Sequence, residues 1–95
     1  MAIYLVTPLT DNYQKLKDVI AREIPEADYY CVQNQAGFFV RSPLTAMELA
    51  FLLNISTPDR SPTDMGAAMV TTVNSYYGRA STAMWDWLKT RMERG

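Results

Sequence analysis

The sequence predicts an α+β domain: a four-stranded antiparallel sheet carrying two helices on one face, with a further helix at the C-terminal end. Three observations lead there. Short β-branched and aromatic runs alternate with segments of helical periodicity in the order strand, helix, strand, strand, helix, strand, helix. Loop composition throughout is confined to residues 56–64, so nothing divides the 95 residues into two cores. Apolar residues make up 48% and charged residues 20%, a balance that supports a core without staples, and the single Cys31 excludes an internal disulfide.

The first strand, about 2–7, is carried by "IYLVT" before Pro8. A helix over about 11–24 follows, because Tyr13, Leu16, Ile20 and Ile24 recur at helical spacing opposite Lys15, Lys17, Asp18 and Arg22. Asp11 and Gln14 suit a capping box at its start, and Pro25 enforces its end. "DYYCVQN" and "GFFVRS" give strands of about 28–34 and 37–41, joined as a hairpin with Gly37 near the turn. The next helix, about 43–54, has two candidate starts, Ser42 with Pro43 or a capping box of Thr45 and Glu48. Ala46, Leu49, Ala50 and Leu53 form its stripe. Met47, Phe51 and Leu52 fall outside the stripe, so the helix is apolar over most of its circumference. Residues 56–64 hold two prolines, no large apolar residue and mixed charges, which predicts a mobile surface loop. A strand of about 66–77 follows, and Ser81 then caps a helix of about 81–93 whose stripe is Met84, Trp85, Leu88 and Met92. Two split β-α-β units in this order make the ferredoxin-like fold in a single domain, residues 1–95.

Several function classes lose ground on composition. Nine basic and ten acidic residues give a net charge of −1, whereas dedicated nucleic-acid binders usually carry a basic excess. The basic residues are scattered, apart from Lys89, Arg91 and Arg94 at a helix end, where cations complement the dipole. The chain has no histidine, hence no imidazole base or metal ligand. Cys31 lies mid-strand without a sign of activation, and the glycines form no phosphate loop. Acidic residues such as Glu26 and Asp28 sit at a connection where charge is ordinarily just solvated. Neither an enzyme nor a cofactor is expected. No apolar run approaches the ~20 residues that span a bilayer, and the first residues lack a basic segment followed by an apolar one. We expect a cytoplasmic protein with no membrane partner.

The sheet raises the functional question. Helices cover one face, and alternation leaves aromatic or branched side chains on the other, whichever phase each strand adopts. If Ile3 and Leu5 face the helices, Tyr4 and Val6 face away; if Phe38 and Val40 point inward, Phe39 and Arg41 point out. The last helix can fold back across that second face, which makes Trp85 a core residue. Trp87 lies beyond the stripe and is the better candidate for contact. Gly78 permits a sharp turn before this helix, with Arg79 at the rim, where it could grip an anion together with the helix N-terminus.

Two family resemblances attach to these residues. "IYLVTPL" resembles the first-strand motif of the RNA-recognition motif, with Tyr4 in the place of its base-stacking aromatic, and "AGFFVR" resembles a shortened third-strand motif with Phe39 as the stacking residue. Ala36 stands where that family carries a basic residue. The second resemblance is to the small ferredoxin-like nucleases of CRISPR adaptation and their uncharacterised relatives. It rests on "YLVT" followed by "NYQKLKDVI" and on the element order. Those nucleases end the first strand with a metal-holding aspartate; here that place holds Thr7, Pro8 and Leu9.

The expectation is a non-catalytic module that acts through protein–protein contacts and self-associates, as a homodimer, through the sheet face. Its candidate interface residues are Tyr4, Phe39, Arg41, Phe51, Leu52, Arg79 and Trp87. The alternative is nucleic-acid binding on the open face, in the manner of the RNA-recognition motif or of the CRISPR nucleases.

Overall fold

The structure, a computed structural model, describes residues 1–75 and 81–93. Strands β1 (Ala2–Pro8), β2 (Tyr29–Cys31), β3 (Phe38–Ser42) and β4 (Ala68–Thr72) form one antiparallel sheet in the order β2-β3-β1-β4. Helices α1 (Tyr13–Glu23) and α2 (Ala46–Leu52) are the crossovers, and α3 (Thr82–Glu93) follows the sheet. This is the ferredoxin-like arrangement that the order of elements predicts. Among the described residues, no helix is long and apolar enough to cross a membrane.

The register assigns the faces. Tyr4 pairs with Val40 and Thr72, and Val6 pairs with Phe38 and Val70, so these residues share one face. Tyr4, Val6, Phe38 and Val40 are buried there with Leu16 and Ile20 of α1, Leu49 of α2 and Leu53, which together form the main core. Tyr13 at the start of α1 stacks on Phe38 at 4.8 Å. The core fixes the phase of β1: Tyr4 and Val6 face the crossover helices, and Ile3 faces away. Fully burying each of these aliphatic side chains contributes roughly 1.5–3 kcal/mol, so a one-residue slip of β1 would forfeit several such terms at once.

Caps and connections depart from the predicted ones in places. Of the two starts predicted for α2, the Thr45–Glu48 box forms: Glu48 N–H donates to Thr45 Oγ1 at 3.1 Å, and Thr45 N–H donates to Glu48 Oε1 at 2.9 Å. The Asp11–Gln14 box does not. α1 begins after Asn12, and Gln14 Nε2 donates to Asp18 Oδ1 instead. Asn12 is buried, and its Nδ2 donates to the carbonyls of Met65 and Ala67, both at 3.0 Å, which ties the start of α1 to the approach of β4. Strand β2 spans three residues rather than seven because single turns of 3-10 helix flank it, at Glu26–Asp28 and Gln33–Gln35. Strand β4 ends at Thr72; residues 76 and 77 of its predicted extent lie outside the described residues. The predicted mobile loop carries its own hydrogen bonds. Asp59 Oδ1 accepts from Thr57 Oγ1 at 2.7 Å and from Ser61 N–H at 3.0 Å.

Candidate interaction surfaces

The second face of the sheet presents Tyr30, Phe39, Leu5 and Thr71 along one rung, Arg41 with Ile3 along the next, and Thr7 with Met69 towards the other end. Helix α3 lies across the first two of these rungs. Ser81 starts it by accepting from the Met84 N–H at 3.3 Å. Trp87 and Leu88 are buried against Ile3, with Tyr30, Phe39 and Val73 packed around them. The Trp87 ring lies 6.1 Å from Tyr30 and 6.3 Å from Phe39 between centroids. Trp87 is 8% exposed, whereas Trp85 is half-buried, which reverses the roles predicted for the two tryptophans. The physical reason is Arg91. The face turned to the sheet runs Met84, Trp87, Leu88, Arg91, at helical spacing, and the Arg91 guanidinium sits 4.9 Å over the Trp87 ring. Apolar residues alone misplace the centre of the stripe by roughly 60° around the helix axis.

A charged rim borders this second core. Arg91 Nε and Nη2 both donate to the Ala27 carbonyl, at 3.2 and 2.8 Å, and bind α3 to the turn before β2. Arg41 Nη1 lies 3.6 Å from Asp28 Oδ1, and Arg41 Nε is buried without a hydrogen-bond partner. Ala27, Asp28, Arg41, Thr90 and Arg91 line a depression of about 170 Å³ between these elements.

The structure brings together three of the predicted interface residues, Phe39, Arg41 and Trp87, but beneath or beside α3 rather than on a free surface. Tyr4 is a correction. It is 5% exposed on the crossover-helix face, and its hydroxyl donates to the Leu44 carbonyl at 2.6 Å. Tyr4 and Phe39 therefore lie on opposite faces and do not form the paired stacking platform that the RNA-recognition resemblance implies. Phe51 and Leu52 lie on α2 away from this site, Phe51 half-buried and Leu52 36% exposed. Arg79 lies outside the described residues.

The largest exposed apolar side chains were not among the predicted ones. Met47 on α2 is 65% exposed; Met69 on β4 is 49% exposed, and Leu9, just past β1, is 54% exposed. Leu9 continues the β1–β4 ladder, its N–H donating to the Ala67 carbonyl at 3.0 Å. The Met69 position is therefore the end of the second face that α3 leaves uncovered. The signal for it was present in "AMVTT", which alternates an apolar residue onto each face, but it shows only once β4 is known to be an edge.

Electrostatics elsewhere are local. Hydrogen bonds from Thr57 and Ser61 hold the Asp59 carboxyl at about 2, and the Thr45 backbone and hydroxyl hold Glu48 below the ordinary glutamate range. Burial, followed by the neighbouring Cys31, pushes the Tyr13 phenol up. Among the described residues, no group of three or more carboxylates or thiols is placed to share a metal ion. Compared with protein-family models, curated proteins and solved structures, the chain finds no match, so its chemistry rests on the arrangement of its own residues.

Proposed function

We propose that this protein is a non-catalytic binding module that acts through protein–protein contacts, beginning with a second copy of itself. The observation that carries this reading is the placement of its exposed apolar side chains. Met69 and Leu9 gather at the uncovered end of the second sheet face, while Met47 and Leu52 project from α2. The aromatics that would serve a nucleic acid are committed elsewhere, Tyr4 to the core and Phe39 to the underside of α3. A net charge of −1 supports a protein partner over a polyanion. The free Cys31, with no partner thiol in the chain, agrees with a reducing cytoplasm. Likeness to the CRISPR-adaptation nucleases enters this reading as fold alone, with Thr7, Pro8 and Leu9 at the place of their metal-holding aspartate.

Light scattering at two concentrations tests the reading. A mass of two chains that falls towards one on dilution is the expected result. A strict monomer at both concentrations contradicts self-association.

A further inference from the structure

The two edges of the sheet differ in kind. β2 is three residues long and is closed by a 3-10 turn at each end, with Asp28 and Arg41 beside it and α3 tied across by Arg91. Such an edge is blunted. β4 is not. From Ala67 to Ser75 the chain has no charged residue and no proline, the usual devices that keep an edge from pairing.

The ladder also fixes which backbone groups β4 keeps free. Leu9 N–H donates to Ala67 O, and Val73 N–H donates to Ile3 O. With the antiparallel register of Leu5 on Thr71 and Thr7 on Met69, residues 67, 69, 71 and 73 direct their N–H and C=O groups towards β1. Ala68, Val70 and Thr72 then direct theirs outward, and no described residue hydrogen-bonds to them.

We infer that the β4 edge pairs antiparallel with β4 of a second copy of this chain, forming one continuous eight-stranded sheet. This deepens the proposed self-association and rests on it. The outward groups select the register. A twofold axis at Val70 sets Val70 opposite its own copy and Ala68 opposite Thr72, so all three outward residues exchange hydrogen bonds. Met69 then lies opposite Thr71, which covers the most exposed apolar side chain of the strand. In this register, charges close to the axis at Val70 would lie near their own copies. This edge carries none, so a second copy meets no repulsion there. A foreign strand remains a competing occupant that the experiment separates.

Thr72→Pro tests the pairing. Thr72 is exposed and its N–H points away from β1, so proline removes an intermolecular donor without breaking a bond of the chain's own ladder. The expected result is a fall from two chains to one by light scattering, with an unchanged far-ultraviolet circular dichroism spectrum. A Thr72→Pro dimer as tight as the wild type overturns edge pairing while leaving self-association standing. A wild type that is monomeric throughout overturns both. Should Thr72→Pro fail to fold, charge reversal decides instead. A chain bearing Met69→Glu with Thr71→Glu and a chain bearing Met69→Lys with Thr71→Lys are each monomeric alone and form a one-to-one dimer when mixed. Failure of the mixture to associate overturns the pairing.

Discussion

Replacing Trp87 with alanine probes the attachment of α3 to the sheet. Trp87 is the largest buried side chain of the second core, 8% exposed, stacked near Phe39 and tilted against Tyr30, with Arg91 over its ring. Truncating a buried tryptophan costs about 3–5 kcal/mol. Because this tryptophan borders solvent, the lower end applies, about 3 kcal/mol. At 1.36 kcal/mol per factor of ten, that shifts the docked-to-undocked ratio of α3 by roughly 150-fold. Leu88 is fully buried beside it and Arg91 still reaches Ala27, so undocking becomes measurable without becoming complete. Hydrogen exchange followed by NMR reads this segment by segment. Amides of residues 85–92 lose protection by about two orders of magnitude, while those of β1 and β3 change only with global stability. The Trp85 emission, now the only tryptophan signal, shifts to the red as the helix leaves the sheet. Unchanged protection over α3, with a stability loss under about 1 kcal/mol, would refute the placement of Trp87 in a core.

Other perturbations test separate parts of the structure. Tyr4→Phe keeps the buried ring but strands the Leu44 carbonyl, and should lower urea-unfolding stability by about 1 kcal/mol; no loss would mean that the 2.6 Å bond contributes nothing. Gly37→Ala places a Cβ 2.6 Å from the Val6 carbonyl oxygen, where the neighbour is backbone and cannot swing away, so the β1–β3 pairing should weaken by about 1–3 kcal/mol in the same assay. The Asp59 carboxyl has an ordinary value of 3.8 and is held at about 2 in the folded chain. Its contribution to the loop is therefore full above 3.8 and is lost as the pH falls through 2. An NMR titration of the Asp59 side chain should show that midpoint, and one near 3.8 would show that the Thr57 and Ser61 bonds do not form in solution.

The sequence disclosed the order of elements because changes of period are bounded by strong breakers, such as Pro8 closing β1 and Pro25 following α1. It disclosed the Thr45–Glu48 cap because both partners lie three residues apart and need nothing from elsewhere. What it withheld depends on long-range contact. "IYLVT" is apolar on both faces, so alternation alone cannot tell whether Ile3 or Tyr4 meets α1. The register with Phe38 and Val40 decides, together with a carbonyl forty residues away that accepts the Tyr4 hydroxyl. Asn12 escaped notice for the same reason, since its partners Met65 and Ala67 belong to the approach of β4. The buried side of α3 was misplaced because Arg91 joins it as a flat cation over an indole, which a count of apolar residues passes over.

The two tryptophans of α3 thus divide between core and border, and the account of the second sheet face depends on α3 covering part of it within one chain. Nuclear Overhauser contacts in a one-to-one mixture of isotope-labelled and unlabelled protein test that directly. The structure predicts cross-peaks from the Trp87 ring to the Phe39 and Tyr30 rings inside the labelled chain. Their absence, or their appearance only between labelled and unlabelled chains, would contradict it.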